Sequence, residues 1–420
     1  MSEGNGVERV RQMRQMLLYV LIPAAGFLSP LLVIPAITAR FGSSGWTSMA
    51  LAQALGGAAA VAGQMGWGVA GPQQVAGLDD AGRLEQYRLS LTSRPLAVVP
   101  AAVAVGLGTY FLVDHAPLAA GILAAGTAAQ AMTPQWFFVG IGRPLAVLWS
   151  ESLPKILLAI ASAVALRAGA PFITFSLLTC LSVPLMLLAA RLILGRASVP
   201  TAVDWRLAPG VARSQLVMGS GLLFNVLYIG LPVSIVQLVA PTATPVFAAT
   251  ERLMRMGASI LHAVPARLQS WVGSADPNDR DRRVRTAARI CASVGLISGI
   301  GYAALAPTVS RLVFSGQVDI PYPVAAASGL LLAIICTTMG LGLAMVATGQ
   351  ANLITAATIP AAVIALGAVG PMARWHGPSG AVIAEIAAEA TGVAIQWFLL
   401  RRYVERRGQH TAGRVTDRSG

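Results

Sequence analysis

Charge is what this 420-residue chain has least of. Only 11% of its residues are Asp, Glu, Lys or Arg, against about 25% in an ordinary soluble domain. With 55% hydrophobic residues and a mean hydropathy of +0.68, the chain holds more apolar surface than a soluble core of this length can bury. A soluble enzyme is therefore excluded, and an integral membrane protein is indicated. Aromatic residues make up 6%. Cys180, Cys291 and Cys336 are the three cysteines; each sits in an apolar run without a CxxC neighbour, which gives no basis for a disulfide framework or a metal centre. The four histidines, 115, 262, 376 and 410, are scattered without ligand spacing. Lysine is almost missing: Lys155 is the only one among 30 basic residues.

What the chain does have is long apolar runs. Each is two to three times the roughly ten-residue segment of a membrane β-barrel, so the expected fold is all-α. A span needs about 20 mainly apolar residues, and twelve candidates emerge at 16–38, 46–70, 94–113, 116–140, 144–166, 171–194, 214–240, 243–272, 287–309, 322–347, 351–373 and 378–400. The first follows Arg9, Arg11 and Arg14. It is longer than a signal-peptide core and lacks a good cleavage site, so it reads as a retained span. With the N-terminus inside, 22 of the 30 basic residues fall on inner segments and four on outer ones. That asymmetry places both termini in the cytoplasm. It also accounts for most of the net charge of +13, so no nucleic-acid partner is expected. The polar, basic segment 195–213, with Pro200 and Pro209, divides the spans six and six. The expected organisation is a cytoplasmic segment 1–15, a six-helix lobe 16–194, a linker 195–213, a second six-helix lobe 214–400 and a basic cytoplasmic tail 401–420. Two pseudo-symmetric lobes facing each other form a transporter plan with its site at their interface. Short outer loops leave no external domain for catalysis.

Ionisable groups at membrane depth are costly and mark function by default. Span 5 carries Glu151 and Lys155, four residues apart on one face; Lys155 lies roughly 16 Å into the span, near the midplane. The pair reads either as a self-neutralised structural bridge or as a substrate or coupling group. Span 8 carries Glu251, Arg252, Arg255 and Arg267, with His262. Arg252 and Arg255 share a face, roughly 14–18 Å from the outer end. Glu251 can neutralise one of them, and the other then requires water or an anionic ligand; a guanidinium fork suits phosphate. Arg267, near the inner end, is expected to reach the headgroups. Span 12 carries Glu385 and Glu389, which repel unless one is protonated or paired across helices. They read as proton-coupling groups or as partners of Arg252, Arg255 or Lys155. Asn225, Tyr228 and Gln237 could line the same cavity.

Three stretches carry a family resemblance: Pro35-Ala-Ile-Thr-Ala-Arg-Phe-Gly42 with Gly45-Trp46; Thr133-Pro-Gln-Trp-Phe-Phe-Val-Gly-Ile-Gly142; and Phe247-Ala-Ala-Thr-Glu-Arg-Leu-Met-Arg255, running on to Pro265. The chain resembles the polysaccharide-biosynthesis flippases, exporters of lipid-linked oligosaccharides in the multidrug/oligosaccharidyl-lipid/polysaccharide (MOP) exporter superfamily. The resemblance implies a V-shaped bundle with a central cationic cavity, working by alternating access. It implies as substrate an undecaprenyl-pyrophosphate-linked glycan, moved from the inner to the outer leaflet of a bacterial cytoplasmic membrane. Arg40, Arg252 and Arg255 fall where arginines of the family line the cavity; Lys155 and Asn225 join them as substrate contacts, with Glu151, Glu251, Glu385 and Glu389 as coupling or ion-pair groups. No cofactor is implied beyond a proton or sodium gradient. The implied partners are the lipid-linked glycan, membrane lipid, and the glycosyltransferases and polymerase of surface-polysaccharide synthesis. Trp136 is expected to seat the span 4–5 turn at the membrane interface.

Three other readings stand beside this one. A cation-coupled drug exporter of the same superfamily would want acids rather than bases in its cavity. Lipid II flippases, another neighbour, have two further spans. A membrane prenyltransferase would need magnesium–diphosphate motifs, which Asp276-Pro-Asn-Asp279-Arg-Asp281 resembles. That motif occurs once, in an Arg-rich inner loop where a solvated charge run is the ordinary explanation.

Overall fold

A computed structural model describes the backbone of residues 3–273, 279–347, 350 and 352–416, and side chains within those ranges except at 3–29, 218–229, 266, 270, 273, 280–281, 352–353, 355 and 403–416. The described chain is helical without a strand. In order, the α-helices are α1 (Glu3–Gln64), α2 (Gly71–Ala76), α3 (Asp80–Ser93), α4 (Pro95–Leu112), α5 (Pro117–Ala129), α6 (Gln135–Gly140), α7 (Pro144–Val147), α8 (Leu153–Arg167), α9 (Phe172–Leu194), α10 (Ala202–Gly230), α11 (Pro232–Val239), α12 (Thr244–Leu261), α13 (Ala263–Gly273), α14 (Arg280–Val313), α15 (Tyr322–Ala347) and α16 (Asn352–Thr416). Among the described residues, six helical stretches are long and apolar enough to cross a membrane: Asp80–Leu112, Pro144–Arg167, Phe172–Leu194, Arg282–Val313, Tyr322–Ala347 and Ala356–Arg402. The chain is thus a multi-pass helical membrane protein.

α1 and α16 are each two helices joined across a kink at one glycine. Gly42 (φ +65°, ψ −160°) and Gly377 (φ +60°, ψ −144°) lie in a positive-φ region essentially open to glycine alone. The described chain forms two compact units. Unit 1 holds residues 1–249 and 309–319; unit 2 holds 250–308 and 320–420. In unit 1, α1 packs on α4, α5, α8 and α10; in unit 2, α15 packs on α16 and α13.

Three expected spans are not continuous. Residues 116–140 are α5, a single 3-10 turn at Gln130–Met132, and α6. Pro134 causes the break, since it supplies no N–H to continue the ladder. Residues 144–166 contain a π-type turn at Leu148–Ser152, just before Pro154 at the start of α8; extra-residue turns of this kind recur where a side chain is re-aimed. Residues 243–272 divide at His262, three residues before Pro265. The expected inner loop 71–93 is mostly helix, because Asp79 caps α3 by accepting from the Gly82 N–H at 3.0 Å.

The interfacial role expected for Trp136 is corrected. Its side chain is buried in a cluster with Trp67, Tyr87, Phe137 and Phe138. Ring centroids are 5.0 Å apart for Trp67–Trp136 and 4.9 Å for Tyr87–Phe137, pairs worth about 0.5–1.5 kcal/mol each beyond burial. Once Pro134 frees α6 to turn, its rings face the core of unit 1 rather than a belt.

Candidate functional site

In unit 1 the break between α5 and α6 is filled by Arg94, which is wholly buried. Its guanidinium donates to the carbonyls of Ala131 (2.7 Å) and Thr133 (2.9 Å), and to the Ser90 carbonyl (3.1 Å) and hydroxyl (3.2 Å). The break orphans helix-end carbonyls, and buried carbonyls need donors; Arg94 supplies them. Thr133 then donates its hydroxyl to Glu151 Oε2, and Lys155 Nζ donates to Glu151 Oε1 at 2.7 Å. Glu151 lies in the π-type turn, which aims it at both partners. Lys155 ends the chain of contacts, with its side chain 20% exposed.

Arg40, at the end of the first limb of α1, donates Nη1 to the Leu166 carbonyl at 3.0 Å and Nη2 to the Gly169 carbonyl. A cation at the C-terminus of α8 meets the negative end of that helix. In this position Arg40 fastens the α8–α9 turn. The side chains of Asn225 and Tyr228 lie outside the described residues. Gln237 donates to the Leu112 carbonyl at 3.4 Å.

The other five candidates lie in unit 2. Glu251 is buried, and its Oε2 accepts Arg255 Nε at 2.6 Å and Nη2 at 2.5 Å. Glu385 of α16 is also buried, and neither of its carboxylate oxygens has a hydrogen-bond partner among the described residues. Glu389, one turn further on, accepts the Thr338 hydroxyl of α15 at 3.3 Å. Tyr302 of α14 donates its hydroxyl to the Thr250 carbonyl at 3.0 Å. Arg252 differs from its neighbour: its Nε is buried without a partner, and no ion pair to it forms among the described residues. One turn of α12 therefore carries an arginine paired to Glu251 and another that makes no ion pair among the described residues. A buried guanidinium without a counter-charge favours an anion strongly.

Arg94, Thr133, Thr338 and Tyr302 were not candidates from sequence. Arg94 looked like one more inner-face base, and the other three are common interhelical polar residues. Pro134 was the available signal, since a break at membrane depth demands a donor. His262 is exposed at the α12–α13 break. Asp279 is held by Arg282 (2.8 Å) and Arg283 (3.2 Å) at the start of α14, an ion-pair cluster in the Arg-rich segment; Asp276 lies outside the described residues.

Outside the spans, Asp204 of the 195–213 segment accepts from the Thr201 N–H and hydroxyl, both at 2.7 Å, and from Arg88 Nε at 3.1 Å. Burial alone would raise its carboxyl. The Thr201 bonds and the Arg88 guanidinium outweigh burial and hold it below the usual carboxylate range.

No family model matches the chain, and no curated protein sequence matches it. Solved structures do. An inward-facing multidrug resistance MATE family transporter of the MOP superfamily is 14% identical, covering 93% of this chain and 96% of its own, with a TM-score of 0.64. The lipid II flippase MurJ, in an inward closed conformation, is 12% identical over 92% of this chain and 87% of its own, at 0.72. A eukaryotic MATE transporter is 14% identical over 94% and 96%, at 0.55. These likenesses establish the class by fold: a multi-pass all-helical membrane protein with the fold of MOP-superfamily transporters.

Proposed function

We propose that the chain is a MOP-type flippase, translocating a lipid-linked oligosaccharide across a bacterial cytoplasmic membrane, with a pyrophosphate-bearing headgroup contacting Arg252. The observation that carries this reading is the buried, unpartnered Nε of Arg252 beside an Arg255 paired to Glu251. A buried positive charge needs a counter-ion, and pyrophosphate offers paired oxygens to its fork. The lobes 16–194 and 214–400, joined by 195–213, are the proposed moving bodies of an alternating-access cycle. Lys155 and Asn225 are proposed as further contacts with the headgroup or glycan. Arg40 is proposed to serve them indirectly, through the α8–α9 turn it fastens. Glycosyltransferases and a polymerase are the proposed partners, making and consuming the transported lipid.

A second reading rests on the membrane-depth acids, of which Glu251 and Glu385 are buried and Glu389 half-buried. Glu251, Glu385 and Glu389 would suit a cation-coupled exporter of cationic drugs, and a MATE transporter shares the fold. One assay separates the two. Proteoliposomes bearing the purified protein are offered a pyrophosphate-linked oligosaccharide lipid or a cationic dye. The flippase reading expects flipping of the lipid, lost in R252A with membrane insertion intact. Dye transport without lipid flipping would replace it with the exporter reading.

A further inference from the structure

At one end of unit 2 the helices converge on a small buried cluster. Val272 of α13, Val284 and Ala287 of α14, and Leu343 and Ala344 of α15 form it, and Leu400 of α16 packs against it. The polar side chains around this cluster are mostly arginines. Arg282, Arg285 and Arg289 of α14 and Arg401 and Arg402 of α16 are exposed, and Arg283 is half-buried. Against them stands one carboxylate ion pair among the described residues: Asp279 accepts from Arg282 and Arg283. Arg285 and Arg289 make no hydrogen bond or ion pair among the described residues.

Both α14 and α16 change character beside this cluster. On α14, positions 282, 285, 289, 296 and 300 follow helical spacing along one face. The arginines there give way to the exposed side chains of Leu296, Ile297 and Ile300. On α16 the order runs the other way along the chain: exposed Ile383 comes first, then exposed Trp397 and Phe398, then Arg401 and Arg402. Three guanidinium groups lie on aromatic rings, Arg283 over Trp271 at 5.2 Å, Arg401 over Trp397 at 5.4 Å and Arg402 over Phe398 at 4.5 Å. An exposed apolar stripe ending in aromatic rings and arginines marks the level of the lipid headgroups.

We propose that this end of unit 2 binds an anionic phospholipid, with its phosphate between Arg285 and Arg289 and its acyl chains along Leu296, Ile297 and Ile300. Arg285 and Arg289 are one helical turn apart, exposed and unpaired, and each guanidinium fork takes phosphate oxygens two at a time. The apolar stripe continues from the same face, so one lipid meets both with its head and tail in their natural order. A zwitterionic headgroup brings an ammonium into the same basic surroundings and is disfavoured. A basic residue close to an anionic membrane surface strengthens binding by about fivefold, which makes about 25-fold for the two arginines. The site is separate from Arg252 of α12, and the proposal does not rest on the reading of that residue.

Native mass spectrometry of the purified full chain, titrated with phosphatidylglycerol or with phosphatidylcholine of matched acyl chains, tests the site. The wild type is expected to prefer phosphatidylglycerol. R285Q/R289Q is expected to bind it about 25-fold more weakly, with phosphatidylcholine binding unchanged. That unchanged binding shows the double variant to be folded. If R285Q/R289Q loses both lipids, R285K/R289K decides, because it keeps the charge: a preference for phosphatidylglycerol upholds the site, and equal binding overturns it. R374Q, on the first limb of α16, and R252A are expected to keep the wild-type preference. Inorganic phosphate in excess is expected to leave the lipid bound. Equal binding of the two lipids by the wild type overturns the proposal, as does wild-type binding of phosphatidylglycerol by R285Q/R289Q. A preference lost in R374Q overturns it as a general charge effect. One lost in R252A overturns it by placing the lipid on α12, and displacement by inorganic phosphate overturns it in favour of a soluble anion.

Discussion

Replacing Arg94 with methionine removes the donor that fills the α5–α6 break. Methionine matches the length of the aliphatic stem and packs without strain, so the loss is one of hydrogen bonding. Two carbonyls, Ala131 and Thr133, depend on Nη1. A buried acceptor deprived of its partner costs about 1–3 kcal/mol, so the two together cost about 2–6 kcal/mol. Removing the desolvation cost of a buried guanidinium offsets part of this, which puts the net loss at about 2–4 kcal/mol. The Ser90 hydroxyl keeps the Tyr87 carbonyl as acceptor and adds no orphan. Equilibrium unfolding in mixed micelles, followed by tryptophan fluorescence, measures the change where Trp67 and Trp136 stack nearby. R94K, with a point charge and no fork, is expected to fall between wild type and R94M. An R94M protein as stable as wild type would refute the assignment of Arg94 to the break.

Two further outcomes follow from the ion pairs. Lys155 and Glu151 form a partly buried bridge at 2.7 Å, so K155M strands a buried carboxylate, and a K155M/E151Q double-mutant cycle should return a coupling of about 1–3 kcal/mol in the unfolding assay; additive effects would contradict the bridge. Asp204 has a folded value below its unfolded one, near 3.9. Its contribution is therefore present above about pH 4 and lost as pH falls through the folded value. Acid melts of the wild type should drop below pH 4 more steeply than those of D204N, and parallel curves would count against the Thr201 and Arg88 contacts.

The helical class and the membrane spans were legible because composition and hydropathy act over tens of residues, where a single proline changes little. The breaks inside spans 4, 5 and 8 were not, since Pro134, Pro154 and Pro265 each permit either a kink or a full interruption, and the outcome depends on what can satisfy the freed backbone. Arg94 does so from another helix, and no local pattern announces it. The i,i+4 partners Glu151–Lys155 and Glu251–Arg255 were readable because a helix fixes their spacing. Arg40 entered the candidate site only through the family resemblance, and its acceptors are the carbonyls of Leu166 and Gly169 at the end of α8.

The most direct test of the account is equilibrium binding of a pyrophosphate-linked polyprenyl lipid to the purified protein, set against the uncharged polyprenol. The account predicts preference for the pyrophosphate lipid in the wild type, weakened by at least about tenfold in R252A, the scale of a lost charge-assisted hydrogen bond of about 1.5–3 kcal/mol. Equal binding of the two lipids, or an R252A protein that keeps the preference, would contradict it.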